Sequence, residues 1–309
     1  MEVHVINQTK NKTENDEKII NNFSITNTIG EFKSRIKREF NLNIPSSNIG
    51  LSMLLPNSPN IITMTSDSHT LQYYSDFSDP HIKVYVKNFG PQISYRTVYI
   101  IEYLGPLLFT ILFYIKLYYQ KTNQNLKVPT IQTCFFFMSL FHFLKRIFET
   151  IFVHEFSRDT MPLKNLYKNC AYYWLLYGLL CNYNLFSGNY NNFSLLFLRY
   201  VFIAFFMSAE LKNLKCHMIL KEMKEKYKGK KGIPPPKEGF EYVTCANYFW
   251  EFLAWFCYSI VSLNWAVVLF TCCGFYQMRE WALKKHKEIK SAFGEKYPKE
   301  RKAFIPFFI

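Results

Sequence analysis

The sequence predicts a multi-pass α-helical membrane protein, with six or at most seven transmembrane helices, that carries a small mixed α/β head at its N-terminus. Three observations carry that prediction. Beyond residue 95, apolar blocks recur at 96–115, 130–144, 169–186, 195–211, 246–261 and 263–278, each approaching the roughly 20 residues a helix needs to cross a bilayer. Aromatics make up 19% of the 309 residues, yet mean hydropathy is only −0.08, so two chemically different parts are being averaged. Residues 1–90 hold nine basic and nine acidic side chains, so the whole net charge of +14 belongs to 91–309. So much apolar surface excludes disorder over most of the chain. Six Phe/Leu/Ile/Tyr-rich blocks also leave little polar face for a water-soluble helical bundle.

The head is read over 1–88 and the membrane part over 89–309. Within the head, Val3–Ile6 alternates as a strand and a second strand is expected near Ile19–Ile25. Thr28–Phe40 follows as a helix with Ile29, Phe32, Ile36 and Phe40 on one face. Further strands are expected at Ile49–Leu54 and Ile82–Val86. Two strands, a helix and then more strands resemble a ubiquitin-like β-grasp domain.

In the membrane part the basic loops set the orientation. Residues 212–231 hold eight lysines against Glu222 and Glu225, and 279–302 is similarly basic. The positive-inside bias puts both in the cytosol, and crossing parity then puts the N-terminal head and 145–168 there too. Met1–Lys10 lacks an apolar stretch, so no cleavable signal is expected and the first membrane helix directs insertion. Sequons stand at Asn7, Asn11, Asn22 and Asn192, of which this topology makes only the last lumenal. The eight cysteines all follow residue 130 without a CxxC pair and read as small apolar residues, not a disulfide framework.

Polar groups inside membrane helices are costly and mark candidate sites. Glu102 is the only acid in its block, either a functional carboxylate or one reaching the headgroups. On a helix His142, Arg146 and Glu149 share a face and Lys145 pairs with Glu149 at i,i+4; the two cations suit an anionic phosphate or an ordinary helix-end ion pair. In C-A-N-Y-F-W-E at 245–251, Asn247 and Glu251 lie one turn apart in a polar stripe, with Tyr248 about 100° around. Among motifs there is no G-x-G-x-x-G, Walker loop, H-E-x-x-H or G-x-S-x-G. No metal is expected, because His142 and His154 lack a partner at zinc spacing, and nothing points to nucleic acid.

The strings H-F-L-K-R-I-F-E-T-I-F-V-H at 142–154, T-M-P-L-K-N-L-Y-K-N-C-A-Y-Y-W at 160–174, C-A-N-Y-F-W-E at 245–251 and Y-P-K-E-R-K-A-F-I-P-F-F-I at 297–309 resemble one family. It is the very-long-chain trans-2-enoyl-CoA reductases of the endoplasmic reticulum, a branch of the steroid 5α-reductase superfamily. The similarity spans nearly the whole chain, including E-Y-L-G-P at 102–106. Ala246 departs from the proline the family usually has there. The resemblance implies reduction of a trans-2-enoyl-CoA to the saturated acyl-CoA with NADPH, the last step of fatty-acid elongation, beside membrane lipid and the other enzymes of that cycle. It makes Tyr248 the proton donor and Glu102 an essential acid that positions the carbonyl or the tyrosine. It gives cofactor contacts to Asn247 and Glu251, more loosely to Lys145 and Arg146, and approximately to Lys287. A steroid or polyprenol reductase would share that cofactor site, but Phe143 stands where steroid reductases typically have a substrate-contacting tyrosine. A non-catalytic adaptor would not be expected to retain these polar groups.

Overall fold

Thr28 starts the first helix for a chemical reason. Its hydroxyl accepts the Glu31 N–H at 3.3 Å while the Glu31 carboxylate accepts the Thr28 N–H at 2.9 Å, a reciprocal cap that satisfies two otherwise orphaned donors. The helix it starts, α1 (Ile29–Glu39), turns Ile29, Phe32 and Ile36 inward at 0% exposure. In this computed structural model all residues are described except 1, 9–15, 22–23, 55–60, 65, 75–80, 157, 189, 191–195 and 228–231. Phe23 of the expected second strand, the Asn11, Asn22 and Asn192 sequons, and Lys228, Lys230 and Lys231 therefore lie outside the described residues. The chain divides into two units, Met1–Val98 with Phe156–Tyr167, and Tyr99–Glu155 with Lys168–Ile309.

In the first unit, β1 (Glu2–Asn7) pairs antiparallel with β2 (Asp16–Ile20) and parallel with β5 (His81–Asn88). On its other side β5 pairs antiparallel with β3 (Ile49–Leu54), and β3 with β4 (Ile61–Met64), giving the order β2-β1-β5-β3-β4. A five-stranded mixed sheet in this order, with a parallel central pair and one helix packed on it, is the β-grasp arrangement. Val3, Val5, Leu51, Met53, Val84 and Val86, at period two in their strands, form one core with the α1 face. The second strand lies earlier than the alternation suggested, because 24–28 is drawn into the turn and cap of α1. Short α2 (Leu71–Tyr74) was not foreseen. Asp159 ties the returning segment to this unit, its carboxylate accepting from Ser66 Oγ at 2.8 Å and the Asp67 N–H at 3.0 Å. There β7 (Thr160–Pro162) pairs with β6 (Gln92–Ser94).

The second unit is helical. Its columns are α3 (Tyr95–Asn123), α4 (Thr130–Phe148) prolonged by a wide π turn at Glu149–Val153, and α5 (Lys164–Cys170) running through a π stretch, Ala171–Cys181, into α6 (Asn182–Ser187). After them come α7 (Leu196–Lys226), α8 (Ala246–Ser262) and α9 (Trp265–Phe293). Over the described residues each apolar block falls in one column, to within two residues at its ends. Among the described residues, α3 alone is long and apolar enough to cross a membrane by itself. It exposes Leu104, Leu108, Leu112 and Ile115 along one side. Inside, Phe135, Phe143, Tyr177, Trp255 and Phe270 form an aromatic core, with ring pairs such as Tyr177–Trp255 at 5.2 Å and Trp255–Phe270 at 4.7 Å, within the usual 4.5–7 Å range.

Candidate active site

Three helices bring polar side chains to one buried place. From α4 come His142, Lys145 and Arg146, followed by Glu149 at its end, all buried. Their i, i+3, i+4 and i+7 spacing puts them on one helical face. From α7 come Glu210, Asn213 and His217, at the same periodicity and at most 7% exposed. From α8 come Asn247 and Glu251, one turn apart.

The contacts are specific. Glu210 pairs with His142 Nδ1 at 2.6 Å and with Lys145 Nζ at 2.7 Å. Lys145 also donates to Asn213 Oδ1 and lies 3.5 Å from Glu149. Arg146 splits its fork, one nitrogen to Glu149 at 2.5 Å and the other to the Tyr103 hydroxyl at 2.9 Å. Asn213 Nδ2 donates to the Asn247 carbonyl at 2.8 Å and to Glu251 at 3.2 Å. Glu251 stands 3.8 Å from Arg146 and 3.9 Å from His142. Three carboxylates thus face Lys145, Arg146 and a histidine, the kind of opposed partners that a buried polar group of this size requires.

The π turn matters to this geometry. Its i→i+5 bond, from the His154 N–H to the Glu149 carbonyl at 2.7 Å, widens the helix end and releases His154 into extended backbone, as π bulges often do near sites. His154 Nε2 then lies 3.3 Å from His217 Nδ1, which is 3.2 Å from Glu149. Burial, followed by the Arg146 cation, depresses the His154 imidazole to about 2, and burial also lowers His217. Burial alone would raise the Glu149 carboxyl, but His217, Arg146 and Lys145 outweigh it and hold it well below the carboxylate range. Glu149, His154 and His217 also offer ligand atoms within 4.8 Å of one another, a grouping that spacing along the chain did not reveal. The Glu149 carboxylate is also paired with Arg146 and Lys145.

Of the residues singled out in the sequence, Lys145, Arg146, Asn247 and Glu251 therefore meet in one network. Tyr248 follows Asn247 and is half-buried, its ring 6.2 Å from that of Trp281. Glu102 is 1% exposed and accepts from Asn169 Nδ2 at 2.8 Å, so it does not reach out to solvent. Its neighbour Tyr103 is the Arg146 partner. Lys287 is exposed on α9, and among the described residues no hydrogen bond or ion pair joins it to the network. The adjacent His286 instead meets Thr244 Oγ1 at 2.5 Å, within a buried group completed by the Tyr297 hydroxyl.

Glu210, Asn213 and His217 were missed by sequence reasoning. They sit at the junction of an apolar block and a lysine-rich run, which reads as a topology signal. Their common helical face was the available clue.

Residues 159–309 match the family model described as 3-oxo-5-alpha-steroid 4-dehydrogenase. The chain is 41% identical to a putative enoyl reductase of Schizosaccharomyces pombe over 74% of this chain and 77% of that one. It is 37% identical to a probable very-long-chain enoyl-CoA reductase of Caenorhabditis elegans, over 73% and 75%. With a very-long-chain enoyl-CoA reductase of Dictyostelium discoideum it shares 32% identity over 93% of both chains. Among solved structures, the C-terminal ubiquitin-like domain of mouse tubulin-specific chaperone e is similar over 29% of this chain and 88% of that one, at 20% identity and a TM-score of 0.24.

Proposed function

This chain belongs to the very-long-chain enoyl-CoA reductase family, within the steroid 5α-reductase superfamily, and from that premise we propose that it reduces very-long-chain trans-2-enoyl-CoA to saturated acyl-CoA with NADPH. The observation that carries the reading is the convergence of Lys145, Arg146, Asn247 and Glu251 from two helices in one buried network, with Tyr248 next to Asn247 on α8. The donor set suits a nicotinamide nucleotide. Asn247 Oδ1 and Arg146 Nε are buried with no hydrogen-bond partner among the described residues, and buried polar atoms left this way are rare unless a ligand meets them. Asn247 and Glu251 would hold the carboxamide and ribose hydroxyls, and Lys145 and Arg146 would face the phosphates. When bound, the reduced nicotinamide supplies the hydride for C3 of the enoyl chain.

The remaining chemistry falls to side chains. Reduction at C3 leaves an enolate, whose C2 needs a proton. Tyr248 is the donor in this reading, since a phenol keeps its proton at neutral pH. Glu102, fixed by Asn169, orients the thioester end of the substrate or the tyrosine. Membrane embedding accounts for the leucine stripe of α3, because exposed apolar surface of that extent marks a lipid or partner contact. We place the protein in the endoplasmic reticulum membrane with both termini cytosolic, where NADPH, acyl-CoA and the other elongation-cycle enzymes meet it. The acyl tail would lie among the Phe-rich helices and the CoA head at the basic face.

Anaerobic incubation of the purified protein with NADPH and a long-chain trans-2-enoyl-CoA tests the reading. Nicotinamide absorbance should fall in step with saturated acyl-CoA formed. Cofactor oxidation without that product, or no oxidation at all, would reject it.

A further inference from the structure

Glu210 is 1% exposed, and a carboxylate taken so far from water persists only where cations and hydrogen bonds compensate it. Its two partners, His142 at 2.6 Å and Lys145 at 2.7 Å, both come from α4. One turn further along α7, Asn213 takes the Lys145 ammonium on its oxygen and passes its amide hydrogens to the Asn247 carbonyl and to Glu251. A lysine carries its point charge on a flexible four-carbon stem. Without a partner on α7, the nearest alternative anion for it is Glu149 at 3.5 Å, which already holds Arg146.

We propose that Glu210 is a positioning residue of the nucleotide site: by fixing Lys145 against Asn213, it keeps Glu149 committed to Arg146 and lets Asn213 hold Asn247 and Glu251 where they meet a ligand. The inference rests on the cofactor reading above and deepens it, since it assigns to α7 the register between the cations of α4 and the polar stripe of α8. The geometry also separates the two adjacent cations. Arg146 has its short contacts with Glu149 of its own helix and with Tyr103, and reaches α7 only at His217, 3.4 Å away, whereas the short contacts of Lys145, to Glu210 and Asn213, both come from α7.

The test is a double-mutant cycle read by direct NADPH binding, from nucleotide fluorescence on the full-length protein in detergent, with kcat and KM measured alongside. Glu210→Gln keeps an acceptor but removes the charge. It should weaken NADPH binding and raise its KM about tenfold, as expected for a lost hydrogen bond between charged groups, while kcat at saturating nucleotide stays within about threefold. Glu210→Asp, which keeps the charge one methylene shorter, should restore part of the affinity. Glu210→Gln placed on Lys145→Met should add almost nothing, because residues acting through one another are not additive.

A purely structural Glu210 would give a lower melting temperature with unchanged KM, or effects that add in the cycle, and either result overturns the proposal. Should Glu210→Gln fail to fold, Glu210→Asp replaces it in the cycle with the same criterion. A wild-type protein that neither binds nor oxidises NADPH overturns the cofactor reading and this inference together. Normal binding by both wild type and Glu210→Gln overturns this inference alone.

Discussion

Tyr248, Arg146 and His154 illustrate three different kinds of dependence on a single side chain. Tyr248 packs 6.2 Å from the Trp281 ring and joins the cluster of Phe252, Phe275 and Phe304, so Tyr248→Phe keeps the packing and loses only the hydroxyl. Turnover should fall by about 10²–10⁴-fold, the usual worth of a general acid, with NADPH affinity retained; near-normal product formation in detergent would remove it as the donor. Arg146 bonds Tyr103 and Glu149 through two nitrogens of one planar fork, a spacing that a single ammonium nitrogen does not reproduce. Arg146→Lys should therefore weaken NADPH binding about tenfold in a fluorescence titration even though the charge is kept.

His154 and His217 tie stability to pH. Their folded-state values are depressed, His154 to about 2, while an unfolded histidine protonates near 6.5. The unfolded chain therefore binds more protons as pH drops, so this stability is complete above about pH 6.5 and is lost below it, by up to about 1.4 kcal/mol per unit for each group. Melting temperature should fall between pH 7 and 5, and His154→Gln should flatten that slope. An unchanged slope would show that the imidazole is protonated in the folded protein.

At the level of elements, the meeting of α3 with the α5–α6 column depends on a missing side chain. A Cβ at Gly105 would sit 2.1 Å from Trp174 Nε1, and that indole N–H donates to the Ile101 carbonyl at 3.0 Å. Ring and backbone touch here in a way only glycine permits, and the obstacle is a rigid indole. Gly105→Val should cost about 1–3 kcal/mol, the usual penalty for overpacking, seen as a lower melting temperature and a weaker monodisperse peak in detergent. Trp174→Ala in the same chain should relieve part of the clash. Gly105→Val at wild-type stability would mean that the helices stand further apart. The six helical columns were legible because each is a long apolar run with one dominant period. The π turn at Glu149–Val153 was not, since an i→i+5 bond leaves no distinct pattern in E-T-I-F-V. Strand β4, I-I-T-M, does not alternate strictly between apolar and polar residues, so its period did not register.

For the molecule as a whole, orientation decides which solution the site faces. Moving the 212–231 lysines across the bilayer would oppose the positive-inside bias, and the proposed substrates, NADPH and acyl-CoA, are anions expected on the cytosolic side. A sequon engineered into 228–232 should stay unmodified in microsomes, and protease added outside sealed vesicles should cut the loop. Glycosylation there together with a protected loop would reverse the topology and turn Lys145 and Arg146 away from the proposed cytosolic substrates.

The sequence by itself determined the apolar blocks, the amphipathic face of α1 and the local stripes His142–Glu149 and Asn247–Glu251, because those are properties of one element and its period. It also carried the family, through strings such as C-A-N-Y-F-W-E at 245–251. The tertiary structure alone decided that these stripes face one another, that Glu210, Asn213 and His217 join them, and that Lys287 stands apart. Contacts between residues as distant as Lys145 and Glu210 depend on how whole helices pack, and burial and charge pairing there are set by neighbours from other helices, which no local period encodes.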